Sequence, residues 1–267
     1  MALFQIRSLQ ETLLDLAAGD QEHRQNHILE PEFHQAIYAD ACLNAAAKRG
    51  AMRLGDLQLV AQYPFRGTQP EYADDENDPT TLEYEGFITD EGVRLDAALD
   101  RGNATRSVCA LKSVSIRAGY VDFGSARSAP RNFYNRKRAR AEAVAGDILI
   151  NSTGDGTIGR VAVYNEDFPA LVDGHITIVR LRDPTKAWFI AAYLLSKEGQ
   201  RQIYRYINGS SGQVEIYPQD IARIWIPLGE DNAEDIGRRL REACEKYAEF
   251  AADLRETLNM LERGERL

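Results

Sequence analysis

The N-terminal part of the chain has the apolar spacing of amphipathic helices. Apolar residues from Ile6 to Leu16 recur at intervals of three, four and three, which places their side chains on one helical face. A second segment opens on Pro31 and closes on Gly50, residues that favour a helix start and a helix end. The pattern therefore predicts two short helices within a segment covering residues 1–50.

The central part, residues 51–229, has a different pattern. Short runs of alternating apolar and polar residues are separated by turn residues, which is typical of strands. One helical region is predicted over residues 186–207, with an interruption expected at Gly199. The pattern favours an α+β fold, with one mixed α/β domain that has a β-rich core.

The C-terminal part, residues 230–267, is predicted to be one long helix. Its apolar residues follow a spacing of four and three, which is that of a coiled-coil seam. A helix of about 32 residues extends about 48 Å, more than a small body covers, so the seam is expected to pair with another helix. Pairing with the N-terminal helices of the same chain is the alternative. The seam consists of Leu240, Cys244, Tyr247, Ala251, Leu254, Leu258 and Leu261.

Residues 146–165 contain a complete G-x-G-x-x-G motif, at Gly154, Gly156 and Gly159. A dinucleotide site needs a strand before these glycines and a helix after them, but the run RVAVYN that follows has the pattern of a strand. A kinase glycine loop needs a lysine strand and an H-R-D motif, and the sequence contains neither. The motif therefore predicts a glycine hairpin between two strands.

The charges are segregated along the chain. The net charge is -9, yet residues 127–140 carry six bases and no acid, while residues 71–91 carry nine acids and no base. An acidic protein with one basic segment that also contains aromatic residues is compatible with local nucleic-acid contact. A partner that supplies further positive surface is compatible with the same balance.

The sequence has no recognisable catalytic, metal or membrane signature. His23 and His27 could share a helix face, but no H-E-x-x-H motif occurs, and Asp147 and Asp155 lie beside glycines, as turn residues do. No apolar run approaches a membrane span, and the N-terminus does not resemble a signal peptide. We therefore predict a cytoplasmic binding protein without a metal, a cofactor or an activity of its own. The cysteines, expected to be reduced thiols, are Cys42, Cys109 and Cys244.

Several motifs follow one another in a characteristic order. MRLGDLQLVAQ, RGTQPEY and ALKSVSIRAGYVDF precede GDILINSTGDGTIGR, and LVDGHITIVRLRD and NGSSGQVEIYPQDIARIWIPL then lead into the long helix. Over residues 52–263 this series resembles the target recognition domain of a type I restriction-modification specificity (S) subunit. Members of that family usually carry two such domains and two long helices, and each domain reads one half of a split DNA site.

The resemblance implies a half-length S subunit with domains at residues 1–50, 51–229 and 230–267. Such a chain would dimerise through its C-terminal helix and read a bipartite inverted repeat. The implied partners are double-stranded DNA, an adenine methyltransferase subunit and, as a further candidate, a restriction translocase. S-adenosylmethionine and ATP are expected in the partner subunits only. The alternative function is a scaffold or inhibitory protein of a defence system that keeps the fold without reading DNA.

With this resemblance, three segments become candidates for DNA contact. Cations suit phosphates and groove edges, and small polar residues suit close backbone approach. Interpretations without a DNA contact also stay open for the three segments: a solvated basic loop, a structural turn at the glycines, and a helix cap followed by a flexible loop. The candidate residues are Arg127, Arg131, Tyr134, Asn135, Arg136, Lys137, Arg138, Arg140, Ser152, Thr153, Gly154, Gly156, Thr157, Arg160, Asn208, Ser210, Ser211 and Gln213.

Overall fold

The computed structural model describes residues 31–71, 107–209 and 214–262. The helix expected between Ile6 and Leu16 lies outside these ranges. The described chain is mixed α/β, as the sequence predicts. Its helices are α1 Ala36–Ala46, α2 Arg131–Ala141, α3 Ala187–Leu195, α4 Lys197–Arg205, α5 Pro218–Ile221 and α6 Ala233–Glu262. Short 3-10 helices span Pro31–His34, Ser113–Ser115, Phe123–Ser125 and Pro184–Lys186.

The strands form three sheets. The central sheet has the order β2-β9-β6-β7 and is antiparallel throughout. A second sheet has the order β4-β3-β8-β5, in which β3 and β8 are parallel, and β1 pairs antiparallel with β10. The strands are β1 Ala51–Arg53, β2 Val60–Arg66, β3 Ser107–Leu111, β4 Arg127–Pro130, β5 Glu142–Ala143, β6 Ile148–Asn151, β7 Val161–Val163, β8 Ala170–Val172, β9 Ile176–Leu181 and β10 Trp225–Pro227.

The central sheet is covered on both faces, and β6 shows how. Successive strand residues point to opposite faces. Ile148 and Ile150 accordingly pack in a core with α3 and α4, whereas Leu149 packs in a second core with residues of β3 and β8. Because both faces are covered, every residue of β6 is buried. The core on the helical side also contains Phe33 and Cys42 from the N-terminal segment.

The predicted interruption at Gly199 is wrong by three residues. The helical region breaks at Ser196, whose backbone is extended and whose hydroxyl accepts a hydrogen bond from the Gly199 backbone nitrogen at 3.2 Å. Ser196 therefore caps the start of α4. Gly199 serves close packing, because a β-carbon there would lie 2.1 Å from the carbonyl oxygen of Tyr193.

The long helix α6 has a covered half and an exposed half. Ile236 and Leu240 pack against the core beside α3, and Cys244 is buried against Gly119. Among the described residues, this proximal packing uses the body of the chain, and the helix expected between Ile6 and Leu16 lies outside the described ranges. Beyond it the apolar side chains emerge, with Leu254 48% and Leu258 52% exposed.

Other members of the predicted seam complete this division. The ring of Tyr247 lies 4.9 Å from that of Tyr120, although Tyr247 is still largely exposed. Ala251 is half-buried, and the side chain of Leu261 lies outside the described part. No described helix is both long enough and apolar enough to cross a membrane.

Candidate nucleic-acid interface

The glycine motif lies in a loop between two paired strands, as predicted. Strand β6 pairs antiparallel with β7, in a register that places Ile150 opposite Val161. We call residues 152–160 between them the glycine loop. Gly154, Gly156 and Gly159 have φ angles of 90°, 77° and 79°. Residues with a side chain rarely adopt such angles, so this loop conformation requires glycine at all three positions.

Several predicted contact residues shape the glycine loop. The Thr157 hydroxyl donates to the carbonyl oxygen of Thr153 at 2.9 Å, and Arg160 Nη2 donates to that of Gly156 at 3.0 Å. Ser152 is fully buried and its hydroxyl lies 2.6 Å from that of Thr177. The inclusion of Ser152 among surface contacts is therefore corrected: it supports the loop from inside.

The segment that follows α4 returns to the same place. Asn208 and Glu215 exchange backbone hydrogen bonds of 2.7 and 2.8 Å. The backbone of Gly154 donates to the carbonyl oxygen of Val214 at 3.1 Å, which joins this segment to the glycine loop. Two segments chosen separately from the sequence thus lie side by side. The candidates Ser210, Ser211 and Gln213 lie outside the described residues.

Pairing of the strands brings further polar side chains to this end of the central sheet. The last residue of β2, Arg66, lies opposite Thr177 at the start of β9, and the last residue of β6, Asn151, lies opposite Ile176. We call the polar side chains gathered here the sheet-end cluster. It consists of Arg66, Thr153, His175, Glu215 and Tyr217.

Direct contacts hold the sheet-end cluster together. Arg66 forms an ion pair with Glu215, donates to the carbonyl oxygen of Ile216 at 2.9 Å, and lies 5.3 Å from the centre of the Tyr217 ring. The Thr153 hydroxyl lies 2.8 Å from His175 Nδ1. The Nε of Arg66 is buried without an acceptor among the described residues.

Two acidic groups of the cluster have shifted pKa values. Partial burial raises the pKa of Glu215, but its interactions with Arg66 and Tyr217 outweigh this effect and lower it below the usual value. The same contact with the Glu215 carboxylate raises the pKa of Tyr217. At neutral pH the cluster therefore presents an ionised carboxylate next to a protonated phenol.

Sequence reasoning singled out Thr153 in this cluster and missed the rest. Arg66, His175 and Glu215 all lie within the quoted motifs RGTQPEY, LVDGHITIVRLRD and NGSSGQVEIYPQDIARIWIPL. Their convergence depends on the register of β2, β9 and β6, which the motifs do not specify. The sequence did contain one indication of these residues: Arg66 is the only base in RGTQPEY, and His175 is the only histidine in LVDGHITIVRLRD.

The basic segment is a helix, so its interpretation as a solvated loop is corrected. Helix α2 carries five bases and no acid, and Phe133 and Tyr134 anchor it in a core formed with β3, β4 and β8. Arginines in its last turn interact favourably with the helix dipole. The segment has few apolar residues, which is why the periodicity did not reveal a helix.

Tyr134 is an anchor and not a surface contact, which corrects another candidate. It is 4% exposed, and its hydroxyl donates to Glu142 Oε1 at 2.5 Å. Burial and this hydrogen bond raise the pKa of Tyr134 to about 12. The guanidinium carbons of Arg131 and Arg138 lie 5.6 and 5.7 Å from the centre of its ring.

The exposed face of α2 is cationic. Asn135, Arg136, Lys137, Arg138 and Arg140 are all exposed. Arg136 lies 3.4 Å from Glu71, and Arg138 lies 3.8 Å from Glu142. Lys137 and Arg140 form no ion pair with any described residue. Arg127, at the start of β4, and Arg131 are half-buried.

The α2 face and the sheet-end cluster are joined by a short stretch of chain. Arg66 belongs to the cluster, and Glu71 contacts Arg136 of α2. Five fully extended residues span about 17 Å at most. This distance is comparable to the width of a DNA major groove, about 12 Å. The part of the cluster at Arg66 therefore lies within about 17 Å of Glu71, which contacts α2.

A groove of about 1010 Å³ lies at the base of α6, beside Trp188 and Phe189. Its charged lining residues are of both signs and include Asp183, Glu234 and Arg238. Opposite charges close together attract a polyanion weakly. Unlike α2, this groove has no net positive charge to offer a nucleic acid.

The described part of the chain contains no group of three or more His, Cys, Asp or Glu side chains that could hold a metal ion. His34 is buried, with its ring 5.2 Å from that of Phe33. His23 and His27 lie outside the described residues. The three cysteines are buried at separate places and form no disulfide.

No protein-family model and no curated protein matches the chain. Among solved structures it is similar to the type IIG restriction endonuclease BpuSI, with 12% identity and a TM-score of 0.47 over 83% of this chain and 30% of that chain. It is also similar to a type I restriction-modification S subunit from M. genitalium, with 14% identity and a TM-score of 0.38, over 71% of this chain and 37% of that one.

A third similar structure belongs to a study of complex assembly and conformational transition in the type I restriction-modification system. Identity is 13% and the TM-score is 0.41, over 96% of this chain and 55% of that one. The chain thus spans between 30% and 55% of the length of these three structures. All three TM-scores lie below 0.5. The family that the sequence motifs resemble is nevertheless found among the similar solved structures.

Proposed function

We propose that this chain is a non-catalytic DNA-recognition subunit of a type I restriction-modification system. The observation that supports this most is helix α2, which has five bases and no acid, with four of the bases exposed, and an apolar anchor that fixes its position. Lys and Arg side chains on a fixed helix suit phosphate contacts, which position a protein on DNA. The glycine loop and the sheet-end cluster supply neutral and hydrogen-bonding groups beside that face.

In this proposal the chain directs a partner adenine methyltransferase to a bipartite site, and a restriction translocase is a further partner. S-adenosylmethionine and ATP are used by those partners, and the complex works in the cytoplasm. The support is the ordered series of motifs over residues 52–263 together with the net charge of -9. An acidic chain needs positive surface from a partner to bind DNA tightly, so the isolated chain is expected to bind DNA weakly.

We further propose that two copies associate through the exposed half of α6. The support is the apolar character of that half, where Tyr247, Phe250, Leu254 and Leu258 are 48–59% exposed. Four large apolar side chains on one exposed helical segment favour burial against another protein surface. A two-fold pair would present the single recognition domain of the chain twice, which fits an inverted-repeat site.

The test is co-purification of the chain with a DNA adenine methyltransferase from the same cells, followed by mapping of methylated adenines with and without the chain. We expect a methylation motif that appears only when the chain is present. A methylation map that is the same with and without it would exclude the specificity role. That outcome would favour the alternative, a scaffold or inhibitor with the same fold.

A further inference from the structure

We propose that the sheet-end cluster reads base edges, and that Glu215 is a specificity-determining residue that accepts a hydrogen bond from an exocyclic amino group of a base. This inference rests on the proposed function and assigns a second, different task within it. Helix α2 would position the chain on the DNA backbone, whereas the sheet-end cluster would select the DNA sequence. The cluster combines residues from β2, the glycine loop, the β8–β9 turn and the segment after α4.

The charge of the cluster separates the two tasks. A carboxylate repels phosphate, so a surface built around Glu215 is unsuited to the DNA backbone. The same carboxylate can accept from the N4 amino group of cytosine in the major groove. All the charged residues of helix α2 are bases, whereas the one arginine of the cluster, Arg66, is already paired with Glu215. Two neighbouring surfaces of opposite chemistry thus match the two chemically different parts of a duplex.

The fixed geometry of Glu215 supports this assignment. Its backbone is held by hydrogen bonds to Asn208, and its carboxylate is held by Arg66 and by the phenol of Tyr217. Arg66 is fixed in turn by the Ile216 carbonyl oxygen and by the Tyr217 ring. The Glu215 side chain still keeps 29% of its surface exposed. A positioned, accessible acceptor discriminates between bases better than a mobile one, because little side-chain freedom is lost on binding.

His175 supplies a second polar edge beside the carboxylate. Its Nδ1 is held by Thr153, the side chain is exposed, and its Nε2 forms no hydrogen bond with any described residue. Positioned amide, imidazole and carboxylate groups are the kind that read base edges. Arg66 of the cluster and Glu71, which contacts α2, are five residues apart and so at most about 17 Å from each other. In this proposal both surfaces act on one duplex.

The test is selection of bound sequences from a randomised DNA duplex library by the complex of the full chain with its partner methyltransferase, with the Glu215→Gln variant in parallel. Glutamine keeps the size of the side chain and removes its charge. We expect the wild type to enrich a motif, and Glu215→Gln to lose discrimination at one base position by about tenfold. Total binding to the unselected library should stay the same or rise, because a negative charge is removed.

Two controls make the result specific. Glu242→Gln removes an arginine-paired carboxylate on α6, where Glu242 lies 2.7 Å from Arg238, and should leave the motif unchanged. His175→Ala changes a second, exposed residue of the cluster and should also alter the motif. It therefore tests the cluster independently if Glu215→Gln reduces the stability of the fold. If both cluster variants enrich the wild-type motif, the inference is overturned while the proposed function stands. If the wild type enriches no motif, the proposed function fails, and the inference fails with it.

Discussion

Helices α2 and α6 each carry five bases, yet they present opposite surfaces. Helix α2 contains no acid, whereas α6 contains eight. In α6 the arginines are neutralised along the helix, with Arg239 2.6 Å from Asp235 and Arg241 2.7 Å from Glu245. Among the described residues, the acids that pair with α2 include Glu71 and Glu142, at 3.4 and 3.8 Å from their partners, and neither belongs to the helix.

A surface for nucleic acid is therefore marked by basic side chains that no acid of the same helix neutralises, and not by the number of bases. The exposed part of α6 instead offers apolar side chains, and so suits a protein partner. We therefore expect substitutions in the two helices to have separable effects. Changes in α2 should weaken DNA binding, and changes in the exposed half of α6 should weaken self-association.

The largest effect is expected from Leu254→Glu combined with Leu258→Glu. Burial of each leucine contributes about 1.5–3 kcal/mol, and a symmetric pair loses four of them, so association should weaken by more than about 1000-fold. Light scattering of the full chain should change from a dimer to a monomer. The control is Leu43→Glu with Leu57→Glu, which changes two leucines that are 65% and 67% exposed elsewhere. An unchanged mass for the α6 variant would refute self-association through this helix.

The next largest effect is expected from neutralising Arg136, Lys137 and Arg140 to glutamine. Loss of three phosphate contacts should weaken binding to a duplex about 100-fold at low salt. The matched control neutralises Arg238, Arg239 and Arg241, which changes the net charge by the same amount. Binding titrations should show a change below about threefold for the control, because those arginines are already paired. Equal losses for both variants would mean that only total charge matters.

A smaller effect is expected at the anchor of α2. Tyr134→Phe removes the hydroxyl that donates to Glu142, and should lower the free energy of unfolding by about 1–2 kcal/mol at neutral pH. The pKa of Tyr134 is about 12 in the folded chain, above its usual value of 10. The stabilisation is therefore complete below pH 10 and is lost as the pH rises towards 12.

Denaturant unfolding of wild type and Tyr134→Phe across that range measures this dependence. We expect the difference between the two to be constant up to about pH 10 and to shrink above it. If the difference in the free energy of unfolding between the two proteins does not change with pH, ionisation of the Tyr134 hydroxyl does not contribute to it. Such a result would mean that α2 is held by apolar packing alone.

The smallest effect is expected from Lys137→Ala. One lost phosphate contact should reduce the slope of log affinity against log salt by about 0.9 and weaken binding severalfold, equally for all sequences. Duplex titrations over a range of salt concentrations measure the slope. The matched change is Lys246→Ala on α6, which should leave the slope as it is.

The sequence predicted the elements of this molecule better than their meeting points. The mixed α/β class, the strand pair around the glycine loop and the long C-terminal helix all follow from local patterns and are present. The helix α2 was not predicted, because its two buried aromatic anchors are adjacent and the rest of the segment is polar. Helix periodicity needs apolar residues spaced over several turns.

The sheet-end cluster could not be predicted for a different reason. Arg66 and Glu215 are separated by 149 residues and meet through strand pairing. Local motifs contain no information on that register. Likewise, nothing in the seam pattern of α6 indicates that Cys244 is covered by Gly119 while Leu254 remains exposed.

The assignment of α2 to DNA is tested most directly by a map of methylated adenines in cells that contain the partner methyltransferase with one of three chains. These are the wild type, the variant neutralised in α2 and the matched variant neutralised in α6. We predict the same methylation motif for the wild type and the α6 variant, and loss of that motif for the α2 variant. Full methylation of the wild-type motif with the α2 variant would contradict the assignment of this helix to DNA.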